Sequence, residues 1–292
     1  MTLTFENIKK SFGEKQVLNG LNFTVEGGSA FGLLGRNGAG KTTAIRILMN
    51  VFPSNEGRVL LDGREIDYDK TLFGYLPEER GLYPKKKIFE QLVYFAELKG
   101  MSRADAVASC DYWLDRLGMQ EYRNKRLDTL SKGNQQKIQL ITAVAHNPDI
   151  VILDEPFSGL DPVNAMLLKS VVKEIINSGK IVLFSSHQMS YIEEFCDSIA
   201  IIHNGDIVLT GSLREIKRNY PRNKLLVSTP QAHTLIDEYG ATPTEVENQV
   251  IITLSSPDKK SELMQELTAK YDIDNIMVYE PSLNDIFVEY AR

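Results

Sequence analysis

The chain has 292 residues, 42% apolar and 25% charged, which excludes a disordered or collagen-like polymer. Its length suits one large or two modest domains and allows roughly three quarters of the unfolded surface to be buried. The net charge of -6 falls in the last quarter: residues 1–220 carry 27 Lys+Arg against 27 Asp+Glu, and residues 221–292 carry 6 against 12, so no nucleic-acid partner is expected.

The opening Met1-Thr-Leu-Thr-Phe-Glu-Asn has neither the basic nor the apolar region of a secretory signal, and no apolar run approaches the length of a membrane span. The expected compartment is the cytosol. Residues 3–8, 16–18 and 21–25 read as strands of a small antiparallel layer, with turns at Ser11-Phe-Gly13 and Glu26-Gly-Gly28. Ala30-Phe-Gly-Leu-Leu34 is a short apolar run typical of a strand buried on both faces, and it leads through a Gly-rich turn into a helix over 42–49. Lys85-Lys86-Lys87, the longest basic run, reads as a solvated turn after Pro84, with a membrane-edge or partner contact as the alternative. Residues 87–117 are spaced for amphipathic helices, with Phe89, Leu92, Val93 and Ala96, then Ala106, Trp113, Leu114 and Leu117 on their apolar faces. A helix from 135 to about 147 then precedes strand runs at 150–153, 181–184 and 199–202, separated by helices over 162–177 and 188–196. This alternation predicts a parallel sheet. Beyond Tyr220-Pro221 come strands at 225–228, 250–254 and 276–279, helices over 230–239 and 257–270, and a last helix carrying Leu283, Ile286, Phe287 and Tyr290. Cys110 and Cys196 have no second Cys or His at ligand spacing and are expected to be buried and inert.

Gly35-Arg-Asn-Gly-Ala-Gly40-Lys41-Thr42 fits G-x-x-x-x-G-K-[ST] and lies between a buried strand and a helix, the context such a phosphate-binding loop requires. Its glycines let backbone N–H groups of Gly35, Asn37, Gly38, Ala39 and Gly40 wrap a phosphate, with the helix start at Thr42-Thr43 adding its positive end. Lys41 is expected on the β and γ phosphates and the Thr42 hydroxyl on Mg²⁺. The run Ile150-Val-Ile-Leu-Asp154-Glu155 places two carboxylates at the carboxyl edge of the same sheet. Asp154 is expected to hold Mg²⁺, and Glu155 to polarise the attacking water as general base. Asn124-Lys-Arg-Leu-Asp128 has the wrong spacing for the guanine motif N-K-x-D.

Leu130-Ser131-Lys132-Gly133-Asn134-Gln135-Gln136, set before a helix and ahead of Pro148, resembles the L-S-G-G-Q signature of the ATP-binding cassette (ABC) family, with departures at Lys132 and Asn134. Other elements of that family follow in order. Phe12 stands where an aromatic stacks on adenine, Ser158-Gly-Leu-Asp161 resembles the D-loop, and Ser185-Ser186-His187 resembles the segment of the switch histidine. Glu78, in Gly74-Tyr-Leu-Pro-Glu78-Glu79, takes the place of a glutamine that senses Mg²⁺. The variant motifs and the tail from Pro281 resemble the bacterial export ATPases typified by sodium and drug or antibiotic exporters.

The resemblance covers residues 1–218. It implies an α/β fold of the P-loop NTPase class: a RecA-like parallel-sheet core, an antiparallel β subdomain and an inserted helical subdomain over about 79–140, followed by a small C-terminal α/β domain at 221–292. It also implies ATP and Mg²⁺ as ligands, Glu155, His187 and Lys41 as catalytic residues, and Thr42, Glu78 and Asp154 as metal contacts. Because the chain carries one phosphate loop and one signature, it implies a head-to-tail dimer with a second copy or a homologous subunit, in which Ser131 and Gly133 of one subunit cap ATP held by Lys41 of the other. Integral membrane permease subunits would hold that dimer on the cytoplasmic face of the membrane, docking near residues 79–100 with Tyr83 and Pro84. The alternatives are a soluble non-transport ABC ATPase and a nucleotide or small-molecule kinase.

Overall fold

A computed structural model describes residues 1–290 apart from Arg80, His187 and Arg222. In chain order the first elements are β1 (Thr2–Phe12), β2 (Lys15–Glu26), β3 (Ala30–Leu34), α1 (Lys41–Leu48), β4 (Glu56–Leu61), β5 (Arg64–Glu65), β6 (Phe73–Leu76), α2 (Ile88–Leu98), α3 (Arg103–Arg116) and α4 (Lys132–Val144). They continue with β7 (Ile150–Asp154), α5 (Pro162–Asn177), β8 (Ile181–Ser185), α6 (Met189–Phe195), β9 (Ser198–His203), β10 (Asp206–Ser212) and α7 (Leu213–Asn219). The last are β11 (Lys224–Ser228), α8 (Ala232–Tyr239), β12 (Thr242–Pro243), β13 (Gln249–Thr253), α9 (Lys260–Lys270), β14 (Asn275–Val278) and α10 (Leu283–Tyr290). The chain folds into two units, one of Met1–Arg214 together with residues from Phe287 onward, the other of Glu215–Ile286.

The first unit holds two sheets. An antiparallel sheet in the order β2-β1-β4-β5 packs against a six-stranded sheet in the order β10-β9-β3-β8-β7-β6, and Phe5, Phe23 and Phe31 stack within their shared core. Strands β3, β7 and β8 are buried along their whole length, as their unbroken apolar runs predict for strands covered on both faces. Strands β9, β3, β8, β7 and β6 are parallel, and β10 closes one edge antiparallel to β9.

The two pieces predicted at 16–18 and 21–25 form one strand, β2, with irregular register against β1 at Ile8 and Lys9. Strands β4, β5, β6, β10 and β12 and helix α7 were not predicted. β4 opens with exposed Glu56-Gly57-Arg58 before a short apolar end, β5 is two exposed residues, β6 is four residues long, and β10 carries no clean alternation, so none has the periodic signal that marks its neighbours.

Helices α2, α3 and α4 fill the stretch between β6 and β7. Residues 84–89 zip against 123–128 through Ile88 N–H to the Lys125 carbonyl, Phe89 N–H to Arg123 and Asp128 N–H to Pro84, which gathers two basic segments distant in sequence. The second unit is a four-stranded antiparallel sheet, β12-β13-β11-β14, with Leu225, Val227, Val250 and Ile252 packing on Leu235 of α8 and Leu267 of α9.

Candidate active site

Register brings the carboxyl ends of four parallel strands level. Leu33 of β3 pairs with Ser185 of β8, Ser185 with Asp154 of β7, and Leu153 with Leu76 of β6. The residues that follow therefore line one edge: the loop from Gly35, then Ser186, Glu155 and Glu78. This is where open α/β sheets bind ligands.

At Gly40 the backbone turns left-handed, φ 117°, and a Cβ there would lie 2.5 Å from Leu18 Cδ2, so only glycine fits. Gly40 makes no side-chain cap, which leaves the first N–H groups of α1 for an anion. The Lys41 ammonium donates to the carbonyls of Gly35 at 2.6 Å and Arg36 at 3.3 Å, folding back into the loop. Burial lowers its pKa, while Asp154, Glu155 and Glu78 all act to raise it. Asn37, Gly38 and Thr42 are exposed, Ala39 is buried, and Thr43 is half-buried.

Asp154 and Glu155 are both buried. Burial pushes the Asp154 carboxyl up, opposed by the Ser185 hydroxyl that donates to it, and Glu78 and Glu155 add to the rise. The Tyr75 hydroxyl also donates to Asp154, and burial together with that carboxylate pushes its pKa up to about 12. Glu155 sits at φ 50°, an uncommon backbone for a residue with a side chain. Its N–H donates to the Ser185 carbonyl at 2.8 Å, and the Ser186 hydroxyl donates to its Oε2 at 2.9 Å. Lys41, Glu78, Asp154 and Glu155 thus form one electrostatic group. His187 lies outside the described residues.

The other predicted residues stand apart from that group. Ser131 caps α4, accepting from Asn134 N–H at 3.3 Å, and a Cβ on Gly133 would approach Asn164 and Leu160 at 3.3 and 3.4 Å. The surroundings of Gly133 are therefore the D-loop segment of its own chain rather than the loop at 35–42. Asp161 is exposed and caps α5 through the N–H groups of Val163 and Asn164. Phe12 is exposed at the end of β1, edge-on to Phe52 with ring centres 5.4 Å apart.

Tyr75, Ser185, Gln136 and Gln139 were not singled out as site residues by the sequence, and Ser186 appeared there only as a neighbour of His187. A pair of serines closing a buried apolar strand was the one available signal, since an unpartnered hydroxyl there is costly.

A family model described as ABC transporter matches residues 18–158, and one described as the C-terminal domain of DrrA1-3-like ATP-binding proteins matches residues 211–291. The chain is 43% identical to an uncharacterized ABC transporter ATP-binding protein, YhaQ, of Bacillus subtilis, over 98% of this chain and 97% of the relative. The chain is an ABC transporter ATP-binding protein. It is also 29% identical to the linearmycin resistance ATP-binding protein LnrL of Bacillus subtilis over 98% of this chain and 97% of that one. A solved ATP-binding subunit of an ABC transporter superposes with a TM-score of 0.69 at 29% identity, covering 75% of this chain and 93% of that chain. The parallel sheet with its phosphate loop is therefore the P-loop fold of this ATPase family, and ATP hydrolysis is its activity.

Proposed function

We propose that the chain is the ATP-hydrolysing subunit of an exporter, working as a head-to-tail dimer beneath separate membrane-spanning permease subunits. The observation that carries this reading is the convergence of Lys41, Glu78, Asp154 and Glu155 at the edge beside the uncapped start of α1. That a relative similar over 97% of its length is named for linearmycin resistance supports this reading. Among the described residues no helix is long and apolar enough to cross a membrane, so the translocation path would belong to partner chains.

In this reading the loop amides of Gly35–Gly40 and the Lys41 ammonium bind the β and γ phosphates, with Thr43 in the first turn of α1 and Phe12 against the adenine. Three carboxylates around one ammonium leave a net negative site, which suits a hard divalent cation. Mg²⁺ takes one or two carboxylates together with substrate phosphates. Thr42, Asp154 and Glu78 would hold it, and there it would neutralise charge on the phosphates. Glu155, held by Ser186, orients and deprotonates the attacking water. Ser131 and Gly133 of the partner subunit close the site over the γ-phosphate, Asp161 lies at that interface, and His187 completes it. Loss of the γ-phosphate removes those contacts and reopens the dimer.

The permease's cytoplasmic helices would dock on residues 79–100. Tyr83, Tyr94 and Leu98 are large exposed side chains there, and Leu98 also lines a groove of about 820 Å³ with Val51, Tyr68 and Phe73.

The test is purification of tagged Glu155→Gln with ATP from gently solubilised membranes. A multi-span protein that co-purifies and stimulates wild-type hydrolysis supports the exporter. Recovery with ribosomes or DNA would place the protein among the soluble ABC ATPases instead.

A further inference from the structure

Helix α4 begins at the signature and lies along β6, the strand that delivers Glu78. Three points join them. The Gln139 amide donates to the Pro77 carbonyl at 3.0 Å and to the Glu79 carbonyl at 3.1 Å. A Cβ on Gly74 would lie 2.1 Å from the Ala143 carbonyl, so backbone meets backbone there. Just past the end of α4, His146 Nε2 donates to the Phe73 carbonyl at 2.9 Å.

Gln139 is distinctive among the three. It is 4% exposed, and both donors of a single amide are spent on the two carbonyls that bracket Glu78 in the chain. Glu78 is exposed, in a turn that follows a four-residue strand. A turn of this kind holds its shape only where its polar backbone groups find partners. One turn of helix earlier on the same face, Gln136 donates to the Pro156 carbonyl, next to Glu155, at 3.2 Å. One face of α4 therefore grips the backbone beside both acids.

We propose that Gln139 is a positioning residue: by clasping the Pro77–Glu79 turn to the signature helix it aims the Glu78 carboxylate at the site of Lys41 and Asp154. This deepens the reading above, on which it rests for the role of Glu78. Gln139 is not among the groups assigned to nucleotide or metal, and its effect passes through Glu78 alone. Because Ser131 caps the same helix, any displacement of the signature carries the turn with it.

The test is a double-mutant cycle between Gln139→Met, which keeps length and volume but donates nothing, and Glu78→Ala. Gln139→Met is expected to lower kcat for ATP by about tenfold, the order expected when the two hydrogen bonds that hold the turn are lost. KM for ATP should change less than kcat, since the phosphate loop is untouched and only the metal's share of binding is lost. In the Glu78→Ala background the same substitution should change nothing.

A second readout avoids turnover. In Glu155→Gln protein, a fluorescent ATP analogue titrated with Mg²⁺ and with EDTA reports the gain in affinity due to the metal. That gain should fall in Gln139→Met, while binding in EDTA is unchanged.

Equal losses in both backgrounds would overturn the clasp and leave the ATPase reading intact. Wild-type activity in Glu78→Ala would overturn the role of Glu78 and the clasp together. Should Gln139→Met melt well below the wild type, Gln139→His, whose ring N–H can keep one of the two bonds, should fold and lose less activity; activity as low as in Glu78→Ala would overturn the proposal.

Discussion

The Ser186 hydroxyl donates to Oε2 of Glu155 at 2.9 Å, and both side chains are buried. Gln188 N–H in turn donates to that hydroxyl oxygen at 3.1 Å, which fixes its direction. The carboxylate of the expected base is thus oriented by the side chain that follows the neighbouring strand β8.

Replacing Ser186 with Ala should therefore lower kcat by roughly three- to tenfold, with ATP affinity unchanged, because one charge-assisted bond that aims the carboxylate is lost. Steady-state ATPase assays check this. An unchanged kcat would remove Ser186 from the mechanism.

Glu155→Gln keeps the shape and loses the base. It should bind ATP as well as the wild type, turn over at least about a hundredfold more slowly, and run as an ATP-dependent dimer on a sizing column. Hydrolysis at the wild-type rate would mean that the base lies elsewhere.

Gly74→Ala should destabilise the first unit, because its Cβ would lie 2.1 Å from the Ala143 carbonyl and neither backbone can yield freely. The expected loss is about 1–3 kcal/mol, read as a lower denaturation midpoint.

His146 supplies a pH test. Its ring is buried, donates from Nε2 to the Phe73 carbonyl, and leaves Nδ1 without a partner. Burial lowers its pKa from the ordinary value, so the folded state resists a proton that the unfolded chain accepts. Above about pH 6.5 both states are neutral and His146 contributes no slope. As pH falls from there toward the lowered folded pKa, stability should decline by up to one proton's worth of slope. Chemical denaturation at pH 7.5 and 5.5 should show a smaller difference for His146→Asn than for the wild type.

Both cysteines should be inert in the native protein. Burial pushes the Cys110 thiol up to about 12 and raises that of Cys196 as well. A thiol reagent at pH 8 should label neither until denaturant is added. Rapid native labelling of either would contradict the packing around it.

Much of this protein was legible in the chain itself, because its decisive signals are local. The phosphate loop needs its glycines and Lys41 within eight residues. Buried strands such as β7 must be apolar up to the acid that ends them, as Ile150–Leu153 are before Asp154, and the helices expected after the signature and over 162–177 start where Ser131 and Asp161 cap them. What the tertiary structure alone decided are relations between distant segments. Strand order sets β8 between β3 and β7, so that Ser185 and Ser186 each reach one acid, a pairing across 31 residues for Ser186 and Glu155. The docking of α4 along β6 turns Gln139, which in sequence is only a polar residue among helix formers, into a partner of carbonyls 62 and 60 residues away. Periodicity records which face of an element is buried but not which neighbour buries it, and a buried amide acquires its role only once the carbonyls it must satisfy have been folded against it.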